Sequence, residues 1–167
     1  VKEAVDAGKL APYRPVLAWA ENPRVFLMTP MLDRQIRSGL ASGDRSVVYR
    51  WDKLRADISH FVEGGLINWN LMRWLVPKKF EHWEMRSVRP RPSLRVFGRF
   101  ACPNVFVGTH VVARSLLKGK WAVEWELEKL RCEDHWKAAL GEFQPFSADL
   151  YEGYITENAS LSVRIEK

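Results

Sequence analysis

Cysteine is scarce in this 167-residue chain: Cys102 and Cys132 are the two present, and no Cys-x-x-Cys pair occurs. That is too few for a disulfide framework and supplies no zinc template, so an apolar core has to hold the fold and both thiols are expected reduced. No apolar run approaches the ~20 residues that span a bilayer, and no charged-then-apolar leader opens the sequence. The expectation is a soluble, cytoplasmic protein with no membrane partner. Glycine-rich phosphate loops and Gly-x-Ser-x-Gly elbows are missing too, and neither His60-Phe61-Val62-Glu63 nor His82-Trp83-Glu84 has a metal-ligand spacing. No cofactor and no metal are therefore expected.

The most informative absence is of negative charge. Between Met85 and Val123 there is no Asp or Glu, while Arg86, Arg89, Arg91, Arg95, Arg99, Arg114, Lys118 and Lys120 all fall there. These are eight of the 26 basic residues; the rest of the chain has 18 against 20 acidic ones, so the surplus behind the net charge of +6 sits in one segment. Concentrated charge builds a local field that gathers a polyanion, and RNA or another phosphate-rich partner is the first expectation.

What is present otherwise is apolar and aromatic. A hydrophobic content of 47%, with eight Trp and eight Phe, exceeds what a disordered chain carries and fits one domain of ordinary size. Residues 1–23 hold Pro12, Pro15 and Pro23 and read as an extended lead-in or a short helix; residues 24–167 read as a single α+β domain with a C-terminal extension from about 141. Arg24 to Thr29 is β-branched and apolar and stops at Pro30, as a buried strand does, and a short helix follows over about 32–40. Val47, Trp51, Leu54, Ile58 and Phe61 recur at steps of four and three and predict a helix over about 45–63, closed by Gly64-Gly65. Residues 66–79 read as a connection with a helical turn. Strands are predicted over 82–88, 94–101 and 105–113, and a helix over 121–140 that is apolar on two sides: Trp121, Trp125, Cys132, Trp136 and Ala139 on one, Val123, Leu127 and Leu130 on the other. Such a helix is expected to be sandwiched between the sheet and another element. The last segment, 150–165, alternates enough to supply one or two strands there.

Period-two geometry turns the charge run into a surface. In the strand 94–101, Leu94, Val96, Gly98 and Phe100 point one way and Arg95, Phe97, Arg99 and Ala101 the other. With Pro103-Asn104 as a tight turn, Phe97 faces His110 and Arg99 faces Gly108, and Phe106, His110 and Arg114 join the arginine face. That face has the parts a single-stranded nucleic-acid surface needs, guanidinium forks for phosphates and rings for bases. It also has the minimum for RNA cleavage by 2′-hydroxyl attack: His110 as proton carrier, Arg95 and Arg99 as charge stabilisers. Arg86, Arg89 and Arg91, with Phe97, Phe106, Arg114, Lys118 and Lys120, would hold flanking phosphates and bases. The bland alternative is that acids such as Glu124, Glu126 or Glu128 neutralise these cations, or that the two-sided helix covers Phe97 and Phe106 and leaves Arg95 and Arg99 at its edge.

The element order over about 24–140, strand, two helices, three antiparallel strands and a helix, resembles the RelE/ParE superfamily of bacterial toxins, including its HigB-like and phage-encoded branches. The stretches that carry the likeness are Trp83-Glu84-Met85-Arg86, Leu94-Arg95-Val96-Phe97 and Val105-Phe106-Val107-Gly108-Thr109-His110. The resemblance implies an α+β fold with a small antiparallel sheet, helices packed on one face and a basic groove. It further implies, in the ribonuclease branches, metal-independent cleavage of messenger RNA and a cognate antitoxin protein as partner. Position by position it points to Arg86, Arg95 and the basic residues after the third strand. Three functions stay open at this level: a RelE-like ribonuclease or a relic of one, a nucleic-acid-binding module without chemistry, and a protein-interaction or phage accessory domain that meets an acidic partner.

Overall fold

The structure, a computed structural model, describes residues 1–14, 23–119 and 122–160. Lys120 and Trp121, and the part of the predicted C-terminal strands beyond 160, lie outside the described residues.

The chain is α+β. It opens with helix α1 (Lys2–Asp6) and a two-residue strand β1 (Ala11–Pro12), then β2 (Val25–Met28), α2 (Pro30–Leu40) and α3 (Arg45–Val62). Both longer helices start where local chemistry dictates. The Thr29 hydroxyl accepts from the Leu32 amide with Pro30 at the first helical position, and the Asp44 carboxylate accepts from the Ser46 amide at 2.7 Å. Gly64, at φ +83°, gives the left-handed turn that ends α3. The short strands β3 (Ile67–Asn68) and β4 (Met72–Trp74) follow, then β5 (Trp83–Ser87), β6 (Leu94–Cys102), β7 (Val105–Ala113), α4 (Val123–Leu140), α5 (Tyr151–Tyr154) and β8 (Ala159–Ser160).

Six strands form one sheet in the order β1-β2-β7-β6-β5-β4, and β3 pairs with β8 in a separate parallel pair. Two expectations about this sheet need correction. It is mixed rather than antiparallel, because β2 runs parallel to β7 after the α2–α3 crossover. It is also covered on both faces rather than one. The larger core lies between one face and α2, α3 and α5, with Phe26, Leu32, Leu54, Ile58, Phe61, Trp83, Phe100, Phe106 and Tyr154 buried together. The smaller clusters lie between the other face and α1 and α4, around Leu27, Val107 and Trp136 at one end and Phe97, Val112, Trp125 and Cys132 at the other.

Other departures have local causes. β4 falls inside the segment read as a connection, since three residues are too few to show a period. The C-terminal segment forms α5 and a two-residue strand among the described residues, on the α3 side and away from α4. Its backbone is tied there by Arg24, whose guanidinium donates to the carbonyls of Phe61, Gly65 and Glu157. The outer stripe of α4, Val123, Leu127 and Leu130, is consequently exposed instead of sandwiched.

The β6–β7 hairpin keeps the expected turn, with Asn104 at φ +63°. Its register holds from Leu94↔Ala113 to Phe97↔His110, then skips Thr109 to give Gly98↔Gly108 and Arg99↔Val107. One extra residue on one strand reverses the faces of everything beyond it. Phe106 therefore sits opposite Phe100 in the larger core, not on the arginine face, and Val107 takes its place on the α4 side.

Candidate nucleic-acid interface

The arginine side of the sheet is assembled by cross-strand register. Arg73 on β4 stands opposite Glu84 on β5, and Arg86 stands opposite Arg95 on β6. Glu84 and Arg86 are two residues apart on one strand, so all four share a face. Like charges set directly across a ladder repel, and Glu84 is what holds them: its carboxylate lies 2.5 Å from Arg73 Nε, 3.2 Å from Arg95 Nε and 3.7 Å from Arg86 Nε. Glu84 is fully buried and Arg95 is 4% exposed. Burial lowers the Arg95 pKa to about 10; Glu84 opposes that shift, and Arg86, Arg73 and Arg114 add to it. Arg86 is lowered for the same reasons, burial first and Arg73 next. One carboxylate thus serves three guanidinium groups, and positive charge is left over.

Farther along β6 the expected open face is closed by α4. Arg99 Nη2 donates to Glu133 Oε1 at 3.1 Å and to His82 Nε2 at 2.8 Å, with the guanidinium over the Trp136 ring. Because a guanidinium only donates, His82 Nε2 has to be unprotonated. His110 is 2% exposed; its ring stacks on Phe97 at 5.1 Å and its Nε2 meets Glu128 Oε2 at 2.9 Å. That carboxylate is also held by Arg131 at 2.9 and 3.0 Å, so its charge is already answered. Burial pushes both His82 and His110 down to about 3, leaving neutral imidazoles. Lys129, with Nζ on the Val76 carbonyl at 2.6 Å, pins α4 to the loop after β4.

The structure therefore splits the residues expected to act together. His110, Arg99 and Phe97 lie beneath α4, and Phe106 lies on the opposite face of the sheet. Arg95 stays with Arg86 and Arg114 beyond the edge of α4, where Arg91, Ser93, Arg95, Arg114, Ser115, Val88 and Pro92 line an open cleft of about 520 Å³. A second hollow of about 320 Å³, sharing Val88, is lined by Lys53, Asp57, Asn68, Asn70, Leu71, Arg86 and Arg89. Arg89 and Arg91 are exposed at the rim. Lys118 is exposed and paired with Glu124 at 3.2 Å, while Arg114 is fixed by the Leu117 and Lys118 carbonyls and lies over the Trp125 ring at 5.6 Å. Among the described residues Arg89, Arg91 and Arg114 have no carboxylate partner.

Arg73 and Glu84 are the participants that sequence reasoning missed. The period of β5 places Glu84 on the face of Arg86 and could have found it; Arg73 depends on β4, which has no readable pattern. Comparison with known proteins returns no matching family model, no matching curated protein and no matching solved structure.

Proposed function

We propose that this chain is a non-catalytic module that binds single-stranded nucleic acid, RNA in the first instance, along the two adjoining clefts. The observation that carries the reading is the surplus of guanidinium groups there: Arg86 in one cleft and Arg95 in the other share the single carboxylate of Glu84 with neighbouring Arg73, and Arg91 and Arg114 line the Arg95 cleft with no carboxylate partner among the described residues. Unanswered cations in a concave site raise the local concentration of a polyanion and fork onto phosphate oxygens. Exposed Val88 between the clefts and the Asn68 and Asn70 amides supply an apolar contact and hydrogen-bonding groups for bases. Binding is favoured over cleavage because the one imidazole proposed to move a proton, His110, is sealed under α4 and held neutral. Kinship to the RelE/ParE toxins belongs to this proposal, supported by the element order β2, α2, α3, β5, β6, β7, α4; a relic that kept the groove and lost the chemistry fits both.

The test is fluorescence anisotropy with a 12-nucleotide single-stranded RNA at 50 and 200 mM salt. About four phosphate contacts give a log–log slope near −3, or roughly a fiftyfold weaker affinity over that range, and Arg91→Ala should flatten the slope by about 0.7. Absence of binding at 50 mM, or binding indifferent to salt, would remove the proposal.

A further inference from the structure

We infer that the Arg91–Arg95–Arg114 cleft is an end-binding subsite, shaped for the terminal phosphate monoester of a nucleic-acid strand; this rests on the nucleic-acid reading above. The floor of the cleft is Arg95, and its guanidinium is held, among the described residues, by hydrogen bonds through Nη1 alone, with Nε near a carboxylate but not hydrogen-bonded to it. Nη1 donates to Ser93 Oγ at 3.2 Å and to the Leu94 carbonyl at 2.9 Å, and Nε faces the Glu84 carboxylate at 3.2 Å. Nη2 has no partner among the described residues. Arg114 is likewise fixed through one terminal nitrogen by the carbonyls of Leu117 and Lys118, which leaves the rest of its fork to a ligand. Arg91 stands at the mouth. Two forks held in advance lose little freedom when an anion arrives, and exposed Arg91 adds a third.

Shape and charge select which phosphate this is. Arg95 as a whole is only 4% exposed, so its guanidinium is reached by a small group entering end-on. An internal phosphodiester has a sugar on each side and would have to bring both down to the floor, whereas a terminal phosphate brings one. The monoester also has three acceptor oxygens and a charge near −2 at neutral pH, against two non-bridging oxygens and −1 for the diester. Three guanidinium groups match the first. Arg89 and Arg91 at the rim are placed for the internal phosphates that follow.

The experiment compares 12-nucleotide RNAs, dye-labelled at the far end, whose near end is a hydroxyl, a phosphate or a methyl-esterified phosphate, in a 5′ series and a 3′ series. In at least one series the phosphate end should bind about tenfold tighter than the hydroxyl and the ester should lose most of that gain. The advantage should shrink between pH 7.5 and 5.5 as the monoester takes up a proton. Arg95→Lys, which keeps the charge and loses the fork, should abolish the end preference; the wild-type comparison decides the matter even if that variant is unstable. Equal affinity for the three ends in both series, with salt-sensitive binding intact, overturns the end-binding subsite and leaves the general reading standing. No binding of any oligonucleotide overturns both. A phosphoserine peptide that binds more tightly than every oligonucleotide overturns the assignment in favour of a phosphoprotein.

Discussion

Replacing Glu84 by Gln keeps the size of the side chain and removes what is, among the described residues, the only counter-charge in contact with Arg73, Arg86 and Arg95. At the 2.5 to 3.7 Å separations seen, each pair carries a gross attraction on the order of 5 kcal/mol for an effective dielectric near 20. Most of that offsets the cost of burying the charges. The net loss on removing one partner of a buried pair is about 3–5 kcal/mol, because the remaining charges are left unanswered. For a chain of this length that corresponds to a Tm lower by roughly 6–20 °C. A second consequence separates this account from plain loss of packing. The variant gains a unit of positive charge beside the cleft, so an added polyanion such as pyrophosphate should restore more stability to Glu84→Gln than to the parent, following the linkage between binding and unfolding. Urea unfolding and thermal melts with and without 10 mM pyrophosphate measure both effects. A change in stability under about 1 kcal/mol, or equal response of the two proteins to pyrophosphate, would refute the view that Glu84 is the counter-ion of an anion site.

Acidification should destabilise the fold well above the range where carboxylates protonate. His82 and His110 titrate near 3 in the folded chain and near 6.5 unfolded, so between those values the unfolded state binds protons that the native state does not. Stability should be complete above about pH 7 and fall by up to about 1.4 kcal/mol per pH unit per imidazole below 6.5; urea unfolding at pH 7.5, 6 and 5 that shows a flat or rising trend on acidification would mean the rings are charged under α4. Gly98→Ala should cost about 2–3 kcal/mol, since a Cβ there would lie 2.3 Å from the Val107 carbonyl oxygen and 2.5 Å from the Phe106 ring, and the ladder has to open to admit it. Arg89→Ala and Arg91→Ala, both exposed, should leave stability within about 0.5 kcal/mol while weakening RNA binding, and a large loss of stability in either would show that the rim arginines hold the fold.

Much of the fold was legible because strong periods leave little choice. The α3 heptad-like spacing, the alternation in β6 and the Pro103-Asn104 turn gave element bounds within a few residues of those observed, and the alternation alone put Arg95 and Arg99 on one side of β6 and Phe100 on the other. The site was legible only in part. Arg91, Arg95 and Arg114 do line one cleft with Arg86 close by, but Glu84, the carboxylate that Arg86 and Arg95 share, carries no signal of that role in the strand pattern beyond the face it lies on, and Arg73 sits in a strand too short to signal itself. Phe106 was misplaced because a bulge at Thr109 costs one residue of register and writes no residue-type signature at that position.

The sequence by itself determined that a surplus of cations lies on one segment and that half of its strand residues turn away from the apolar core, because side-chain direction in a strand follows from position alone. Whether those cations meet water was a matter for tertiary structure. A two-sided helix can pack by either stripe, and it packs by Trp125, Cys132 and Trp136, bringing Glu128 and Glu133 down onto His110 and Arg99 while stopping short of Arg95. The reach of that helix over the sheet, fixed by contacts between elements distant in sequence, is what leaves one end of the arginine face open and closes the other.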